Sequence, residues 1–243
     1  GQTMQVLLPD LISMYLFLQR PFEPEVKSFI ESTLKPGMTF FDIGAHIGYF
    51  TLTAVNIVKQ DGSIVSFEPM PNLYKILESN CKPFPNITLE QLAINDGSSS
   101  QITLNYYGAR LAGSTTAHTI RMLESQRQTL PEPQQHLASA TSIDSYVAQT
   151  GYIPDLIKLD IEGGEMDALR GAQDTIERYS PCIIMEVGDI GRNRDNCTSA
   201  CLEFLKALGY KSYEFDRKDR RIKPHNIREA YNENGNLLCI SRS

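Results

Sequence analysis

One short stretch, residues 41–51 with the sequence FDIGAHIGYFT, constrains the fold of this chain more than any other. An apolar run of β-branched and aromatic residues at 39–43 breaks at Gly44, and a helical pattern resumes at Gly48. The pattern predicts a strand, a tight glycine turn and a helix. Glycine tolerates positive φ and lets backbone approach a ligand, and the start of a helix presents unpaired N–H groups that suit a carboxylate or phosphate.

The acid before the turn narrows the choice of ligand. Asp42 stands in a D-x-G-x-x-x-G spacing, which differs from the G-x-G-x-x-G dinucleotide fingerprint and from the phosphate-binding P-loop. The turn has no lysine to meet a triphosphate. S-adenosylmethionine fits better, because its amino-acid end carries a carboxylate for the turn and an ammonium for an acid. A glycine turn that merely joins a strand to a helix is the alternative interpretation.

A second acid follows the next predicted strand, residues 63–67, which ends in Glu68 and Pro69. In a nucleotide-binding βαβ unit, an acid about 20 residues past the glycine turn takes the ribose hydroxyls. We therefore expect Glu68 to bind the ribose. The alternative is a helix cap, since Pro69 and Pro71 precede a helical pattern, and both roles can hold together.

Four separate blocks, in this order and spacing, resemble the FkbM family of S-adenosylmethionine-dependent methyltransferases: DIGAHIGYFTL, SFEPMPNLY, LIKLDIEGGEMDALRGA and IIMEV. The resemblance runs from about Pro21 to about Val187. It implies an α/β fold of the Rossmann-like class I methyltransferase type, with a seven-stranded, mostly parallel sheet and helices on both faces. It also implies O-methylation of a hydroxyl on a sugar, small molecule or natural product. His46 stands where the family often has asparagine, so its contact with the cofactor stays open.

The residues that we expect to bind S-adenosylmethionine are those of the two turns together with positions at the ends of later strands. They are Asp42, Gly44, Ala45, Gly48, Tyr49, Glu68, Pro69, Ala93 and Asp160.

The length of 243 residues suits one α/β domain with an insertion. We expect a helical leader at residues 1–38, with an apolar helix at 11–18 and a second helix at 24–34, followed by a methyltransferase domain at 39–243. Strands are predicted near 39–43, 63–67, 87–92, 156–160, 182–187, 211–215 and 236–241. Their alternation with helices predicts a parallel sheet that is covered on both faces, with the last strand antiparallel as the family implies.

The alternation fails between about 97 and 140, where a possible strand at 101–107 is followed by a polar, proline-broken segment. Loops of this length inside a compact domain are usually functional or disordered. Because ligands of open α/β sheets lie beyond the carboxyl ends of the strands, we interpret the segment as a substrate lid. A plain surface insertion is the alternative.

The catalytic candidates are Asp160, Lys158 and His46. Lys158 and Asp160 share one face of the strand LIKLD, since side chains alternate, and Asp160 reaches its carboxyl end beside the strand of Asp42. Methyl transfer to an alcohol needs alignment and removal of the alcohol proton, which suits Asp160. His46 is the other candidate base, although a lone histidine in a loop is more often a cap or surface residue.

Whether a metal ion assists this chemistry stays open. Asp160, Glu162 and Glu186 could together hold a divalent ion, but no specific oxygen-ligand loop such as an EF-hand is present, so we assign no metal ligands. For Glu165 we favour a structural role in the first turn of a helix that we expect to continue to Arg178.

The composition of the chain limits the kinds of partner that the protein can bind. A net charge of −6 and a pI of about 5.3 argue against nucleic acid, and the basic stretch at 217–223 is interpreted as a solvated loop rather than a phosphate-binding patch. Five scattered cysteines without a C-x-x-C pair favour the reducing cytoplasm. No segment approaches the ~20 apolar residues of a membrane span. A small-molecule or glycan acceptor is expected, and a homo-oligomer stays open.

Two other functions compete with O-methylation. An RNA or protein methyltransferase would share the cofactor site and differ in the acceptor, but the acidic balance counts against RNA. A non-catalytic scaffold with the cofactor fold would have no need of acids at three strand ends. The sequence does not name the acceptor.

Overall fold

The computed structural model describes residues 4–106, 115–116, 134–189, 197–215, 221–233 and 235–241. Two helices precede the first strand, α1 (Leu11–Phe17) and α2 (Pro24–Thr33), as the sequence predicts. Asp10 caps α1 by accepting a hydrogen bond from the backbone N–H of Ser13 at 2.8 Å. Pro24 opens α2, where its missing N–H costs nothing. Among the described residues, no helix has both the length and the apolar character to cross a lipid bilayer.

Strands and helices alternate through the rest of the chain. The strands are β1 (Thr39–Ile43), β2 (Ser63–Phe67), β3 (Ile87–Glu90), β4 (Ala93–Ile94), β5 (Gln101–Tyr106), β6 (Thr115–Thr116), β7 (Gln134–Thr141), β8 (Leu156–Leu159), β9 (Cys182–Val187), β10 (Tyr210–Phe215), β11 (Ile222–Pro224) and β12 (Gly235–Ser241). The helices are α3 (Tyr49–Val58), α4 (Pro71–Cys81), α5 (Ile143–Thr150), α6 (Glu165–Arg170), α7 (Gln173–Tyr179) and α8 (Thr198–Ala207).

The main sheet has the strand order β11-β10-β12-β9-β8-β1-β2-β3. Strands β3, β2, β1, β8 and β9 run parallel, and β12 is antiparallel to both β9 and β10. This confirms the predicted class, a Rossmann-like α/β fold with a mostly parallel sheet. The sheet has eight strands rather than the seven predicted, because the edge strand β11 has only three residues, all on the exposed side, which is too short to give a strand pattern.

Both faces of the sheet are buried, which is why its central strands are apolar on successive residues. In β1, Phe40 packs into a cluster with Val26 and Ile30 of α2, whereas Phe41 packs on the opposite face with Tyr146 of α5. The chain moves outward from β1 to β2 and β3, then returns to place β8 on the other side of β1. The carboxyl ends of β1 and β8 thus meet at the point where the strand order reverses, which is where open sheets bind ligands.

The predicted insertion contributes a second sheet, with the order β4-β7-β5-β6. The strand expected at 101–107 is present as β5, while β7 was not predicted because its sequence, QQHLASAT, is largely polar. Residues 107–114 and 117–133 of the insertion lie outside the described residues, as do residues 217–220 of the basic stretch. The lid, and the division into a leader and a methyltransferase domain, stay predictions.

The helix that we expected from Glu165 to Arg178 is two helices, α6 and α7, separated at Gly171. A Cβ on Gly171 would lie 2.2 Å from the backbone oxygen of Asn95, where the chain enters the second sheet. The helix therefore breaks at the residue where the chain packs against Asn95 so closely that only glycine fits.

Gly171→Ala should destabilise the fold by about 1–3 kcal/mol, the usual cost of overpacking a close contact. Gly171 has a φ of −74°, so the cost would arise from the contact and not from backbone strain. Gly235→Ala is the matched control, since its nearest neighbour to a new Cβ is 3.9 Å away. Urea unfolding of both variants would test this, and equal stabilities would contradict it.

Candidate active site

A cavity of about 280 Å³ lies at the carboxyl ends of the parallel strands. Its apolar wall includes Leu11 and Phe22 from the leader, and Ile94 and Leu104 from the second sheet. Six acids also line it: Asp10, Glu23, Glu68, Asp160, Glu162 and Glu186. The cavity therefore combines an apolar surface with an acidic one.

The structure brings together only part of the predicted site. Six of the predicted residues line the cavity: Gly44, His46, Glu68, Pro69, Ala93 and Asp160. Five others do not line it, although they lie in or next to the same strands: Asp42, Ala45, Gly48, Tyr49 and Lys158. The roles proposed for all eleven stay predictions, and the geometry separates those that face a ligand from those that support the wall.

Asp42 lies behind the cavity wall and is almost fully buried. Its Oδ2 accepts a hydrogen bond from the Thr51 hydroxyl at 2.6 Å, and that hydroxyl lies 2.9 Å from the hydroxyl of Ser66. Burial raises the pKa of Asp42, although the charge of Lys158 counteracts it. These hydrogen bonds connect β1, β2 and α3 through the side chains of Asp42, Thr51 and Ser66. The burial of Asp42 behind the wall argues against the direct contact with a ligand that the sequence predicts.

Gly44 turns the chain between β1 and α3 with a φ of 83°. A Cβ at this position would lie 1.9 Å from the backbone oxygen of Asp160, so the glycine lets the loops after β1 and β8 touch. Gly48, at a φ of 91°, starts α3, and a Cβ there would meet Leu77 at 2.8 Å. Both glycines are needed first for protein packing, and Gly44 also faces the cavity.

Glu68 is held in the wall by two backbone groups. Its Oε1 accepts from the N–H of Met70, next to the start of α4, and its Oε2 accepts from the N–H of His46, both at 2.9 Å. Glu68 therefore does both: its carboxylate accepts a hydrogen bond at the start of α4, and its side chain lines the cavity. Burial raises the pKa of Glu68 to about 7, and the charge of His46 and both hydrogen bonds only partly offset it.

His46 has a φ of 53° and connects the glycine turn to the leader. Its Nε2 lies 3.4 Å from Oδ1 of Asp10, while its Nδ1 is buried and has no hydrogen-bond partner among the described residues. Burial lowers the pKa of His46, but the hydrogen bond and charge of Asp10 outweigh this, so the pKa is raised. The contact between His46 and Asp10 thus connects the glycine turn to the leader at the cavity.

Lys158 and Asp160 form an ion pair, with Nζ of Lys158 donating to Oδ2 of Asp160 at 2.5 Å. Lys158 is only 2% exposed and lies over the ring of Phe50, 4.7 Å from its centre. Burial lowers its pKa, but the charges of Asp160, Glu23 and Asp42 outweigh burial and raise it. Lys158 therefore stays charged, and it orients Asp160 instead of facing the cavity itself.

The loop after β8 is shaped by the acid at the start of α6. Glu165 is fully buried and accepts hydrogen bonds from the backbone N–H groups of Ile161 and Gly163, which agrees with a structural role. Carboxylate oxygens of Asp160, Glu162 and Glu186 lie within 4.8 Å of one another. The structure brings together the three acids considered for a divalent ion, and we assign no ion to them.

Of the six acids at the cavity, sequence reasoning missed two, Asp10 and Glu23. Both belong to the leader, for which the sequence predicts two helices and no site residue. Asp10 precedes the apolar run and Glu23 precedes Pro24, so each had the ordinary appearance of a helix N-terminus. Their place at the cavity depends on contacts with distant segments, for which the local pattern has no signal.

Glu68→Gln should change how stability depends on pH. The pKa of Glu68 is about 7 against an ordinary 4.5, so the folded protein keeps a proton that the unfolded chain releases between these values. The free energy of unfolding that Glu68 contributes is therefore complete below pH 4.5 and falls as pH rises to 7, by about 3 kcal/mol. Urea unfolding from pH 4.5 to 8 should show the wild type losing this amount relative to the variant. Parallel profiles would contradict the expectation.

Comparisons with known proteins identify the family to which this chain belongs. A family model for the methyltransferase FkbM domain matches residues 42–212. The 31-O-demethyl-FK506 methyltransferase FkbM of Streptomyces tacrolimicus is 25% identical over 202 residues, which cover 73% of this chain and 74% of that protein. The AMB antimetabolite synthetase AmbE of Pseudomonas aeruginosa is 25% identical over 218 residues, 78% of this chain but only 10% of its own length.

The fold has a solved counterpart. The crystal structure of a candidate rRNA methylase from Clostridium thermocellum superposes with a TM-score of 0.52 at 13% identity, over 90% of this chain and 93% of that one. At this identity the likeness shows the fold alone. The family match spans more than half of the chain and includes the glycine turn, Glu68 and Asp160, and the chain therefore belongs to the methyltransferase FkbM domain family.

Proposed function

We propose that this chain is an S-adenosylmethionine-dependent O-methyltransferase that acts on a hydroxyl of a small molecule, sugar or natural product. The observation that carries the proposal is the convergence of Gly44, Glu68 and Asp160 on one cavity at the reversal of the strand order. Methyltransferase activity follows from the family, and the cofactor and the acceptor class are the proposed part.

The residues at the cavity fit this cofactor. The carboxylate of Glu68 uses one lone pair of each oxygen on backbone N–H groups, which leaves further lone pairs for ribose hydroxyls. Pro69, Ala93 and Ile94 offer a small apolar surface for a flat base on the same side. The amino-acid tail would lie on the other side of Gly44, toward Asp160. The order of β2, β1 and β8 in the sheet sets this direction.

The cofactor, when bound, supplies an electrophilic methyl group on a sulfonium. Asp160 is proposed to accept a hydrogen bond from the acceptor hydroxyl and to take its proton during attack. Lys158 holds one oxygen of Asp160 in place and leaves the other available, which fixes the direction of the carboxylate. The apolar residues from the leader and the second sheet would exclude water from the reacting atoms.

A small acceptor is favoured over RNA. The net charge of −6 and the six acids at the cavity oppose a polyanion. The relative from Streptomyces tacrolimicus is a methyltransferase of 31-O-demethyl-FK506, which makes a hydroxyl on a natural product the acceptor class to test first. We also propose that the segment at 97–140 is a substrate lid, that the protein is cytoplasmic and that it can form a homo-oligomer.

At pH 8, above the pKa of about 7 at which Glu68 ionises, Glu68→Ala should weaken the binding of S-adenosylhomocysteine, the demethylated product, by about 2–3 kcal/mol. The reason is that charge-assisted hydrogen bonds to the ribose are lost. Glu78→Ala, which changes an exposed glutamate on α4, should bind like wild type. Isothermal titration calorimetry of the three proteins measures this. If Glu68→Ala binds as tightly as wild type, Glu68 is only a helix cap.

Asp160→Asn keeps the shape of the side chain but removes its charge, so methyl transfer should slow by about 10²–10⁴-fold. The acceptor would first be found by mass spectrometry, as a compound that gains one methyl group in a panel of hydroxylated natural products and glycans. Turnover of the variant at the wild-type rate would refute the role of Asp160. Loss of wild-type activity with a chelator and recovery with Mg²⁺ would instead show a metal-assisted reaction.

A further inference from the structure

Glu23 is a cavity residue to which the mechanism above gives no role. Its Oε1 accepts a hydrogen bond from the side-chain amide of Asn236 at 2.9 Å. Its Oε2 is buried and receives no hydrogen bond from any residue that the structure describes. A buried carboxylate oxygen without a donor is costly, and native proteins rarely leave one unless a ligand or water supplies the donor.

The backbone of Glu23 is also unusual. Its φ of 40° and ψ of 60° lie in the left-handed region, which non-glycine residues seldom occupy and which recurs at ligand sites. Glu23 directly precedes α2, but its side chain makes no capping hydrogen bond to that helix. A role as helix cap therefore does not explain the glutamate, and its side chain turns into the cavity instead.

Among the described residues, the charged groups that act most on Glu23 are one cation, Lys158, and two acids, Asp160 and Glu25. Lys158 is the cation that Glu23, Asp160 and Asp42 share, so three carboxylates act on one ammonium group. Burial raises the pKa of Glu23 and the charge of Lys158 lowers it, with the net shift upward. A bound cation would favour the ionised carboxylate, since opposite charges at close range attract strongly in a site with little water.

The position of Glu23 in the site indicates which cation this is. Across the sheet edge, Glu68 follows β2, Gly44 follows β1 and Asp160 follows β8, while Asn236 lies on β12 beyond them. A cofactor with its ribose at Glu68 would extend its amino-acid tail past Gly44, toward the side where Glu23 lies. That tail ends in an α-ammonium, whereas the hydroxyl of a methyl acceptor is neutral.

We propose that Glu23 binds the α-ammonium of the S-adenosylmethionine tail, the contact that the sequence pattern predicted for Asp42. The inference rests on the proposed function, because it takes the cofactor from there. Asp160 already accepts a hydrogen bond from Lys158, and Asp42 lies behind the wall. Of these three acids, Glu23 is the one with a buried oxygen that has no donor among the described residues. The leader thus supplies a cofactor-binding residue.

The test compares two ligands that differ in the tail. S-adenosylhomocysteine carries the α-ammonium, whereas 5′-methylthioadenosine keeps the adenosine and the sulfur but has no amino-acid tail. Calorimetry of wild type and Glu23→Gln should show S-adenosylhomocysteine binding weakened about 10–100-fold and methylthioadenosine binding changed less than about 2-fold. Glu31→Gln, an exposed change on α2, is the matched control and should leave both affinities unchanged.

Each other outcome counts against the inference. Unchanged binding of S-adenosylhomocysteine to Glu23→Gln would overturn the inference and would indicate that Oε2 of Glu23 faces the methyl acceptor instead. An equal loss for both ligands would also overturn it, since Glu23 would then support the shape of the cavity. Failure of wild type to bind either ligand would overturn the proposed function itself. Glu68→Ala provides the contrast, because a lost ribose contact must weaken both ligands alike.

Discussion

Inside the fold, the ammonium group of Lys158 is shared by three carboxylates from three separate parts of the chain: Asp42 on β1, Asp160 after β8 and Glu23 before α2. Burying a charge is tolerable only when partners compensate for the lost water. Removal of the lysine would leave these three acids without the ammonium group that they share, so the arrangement of β1, the loop after β8 and the leader depends on this one charge. The acids hold Lys158 in its charged form, and Lys158 holds them near the cavity.

Much of the site could be predicted because it is built locally. A strand, a glycine turn and a helix follow one another within residues 39–58, and the positions of Glu68 and Asp160 at strand ends follow from the same alternation. Asp42 shows the limit of this reasoning. Its place on β1 is as predicted, but the hydroxyl of Thr51 from α3 covers its carboxylate, and a strand pattern does not reveal which strand-end acids a neighbouring helix will cover.

The leader shows a different limit. Glu23 and Asn236 are 213 positions apart in the sequence, yet their side chains share a hydrogen bond at the cavity. His46 and Asp10 make a similar connection between the glycine turn and the residue that caps α1. Contacts of this kind depend on how the complete sheet is assembled, so the sequence around Glu23 resembles an ordinary helix start. The eighth strand and strand β7 escaped prediction because β11 has only three residues and the buried face of β7 carries small alanines rather than large apolar residues.

The junction between the two sheets has an evolutionary consequence. Ala93 and Ile94 pair with Ala140 and Thr141, so the chain leaves the main sheet and returns toward it through one pair of adjacent strands. The ends of the intervening segment are therefore fixed in place, and its length can grow at a small entropic cost, about 0.6 kcal/mol for each doubling of a loop. Changes of length within the segment therefore leave the glycine turn and the main sheet in place, which makes the second sheet the part of this fold that evolution can most easily enlarge or shorten.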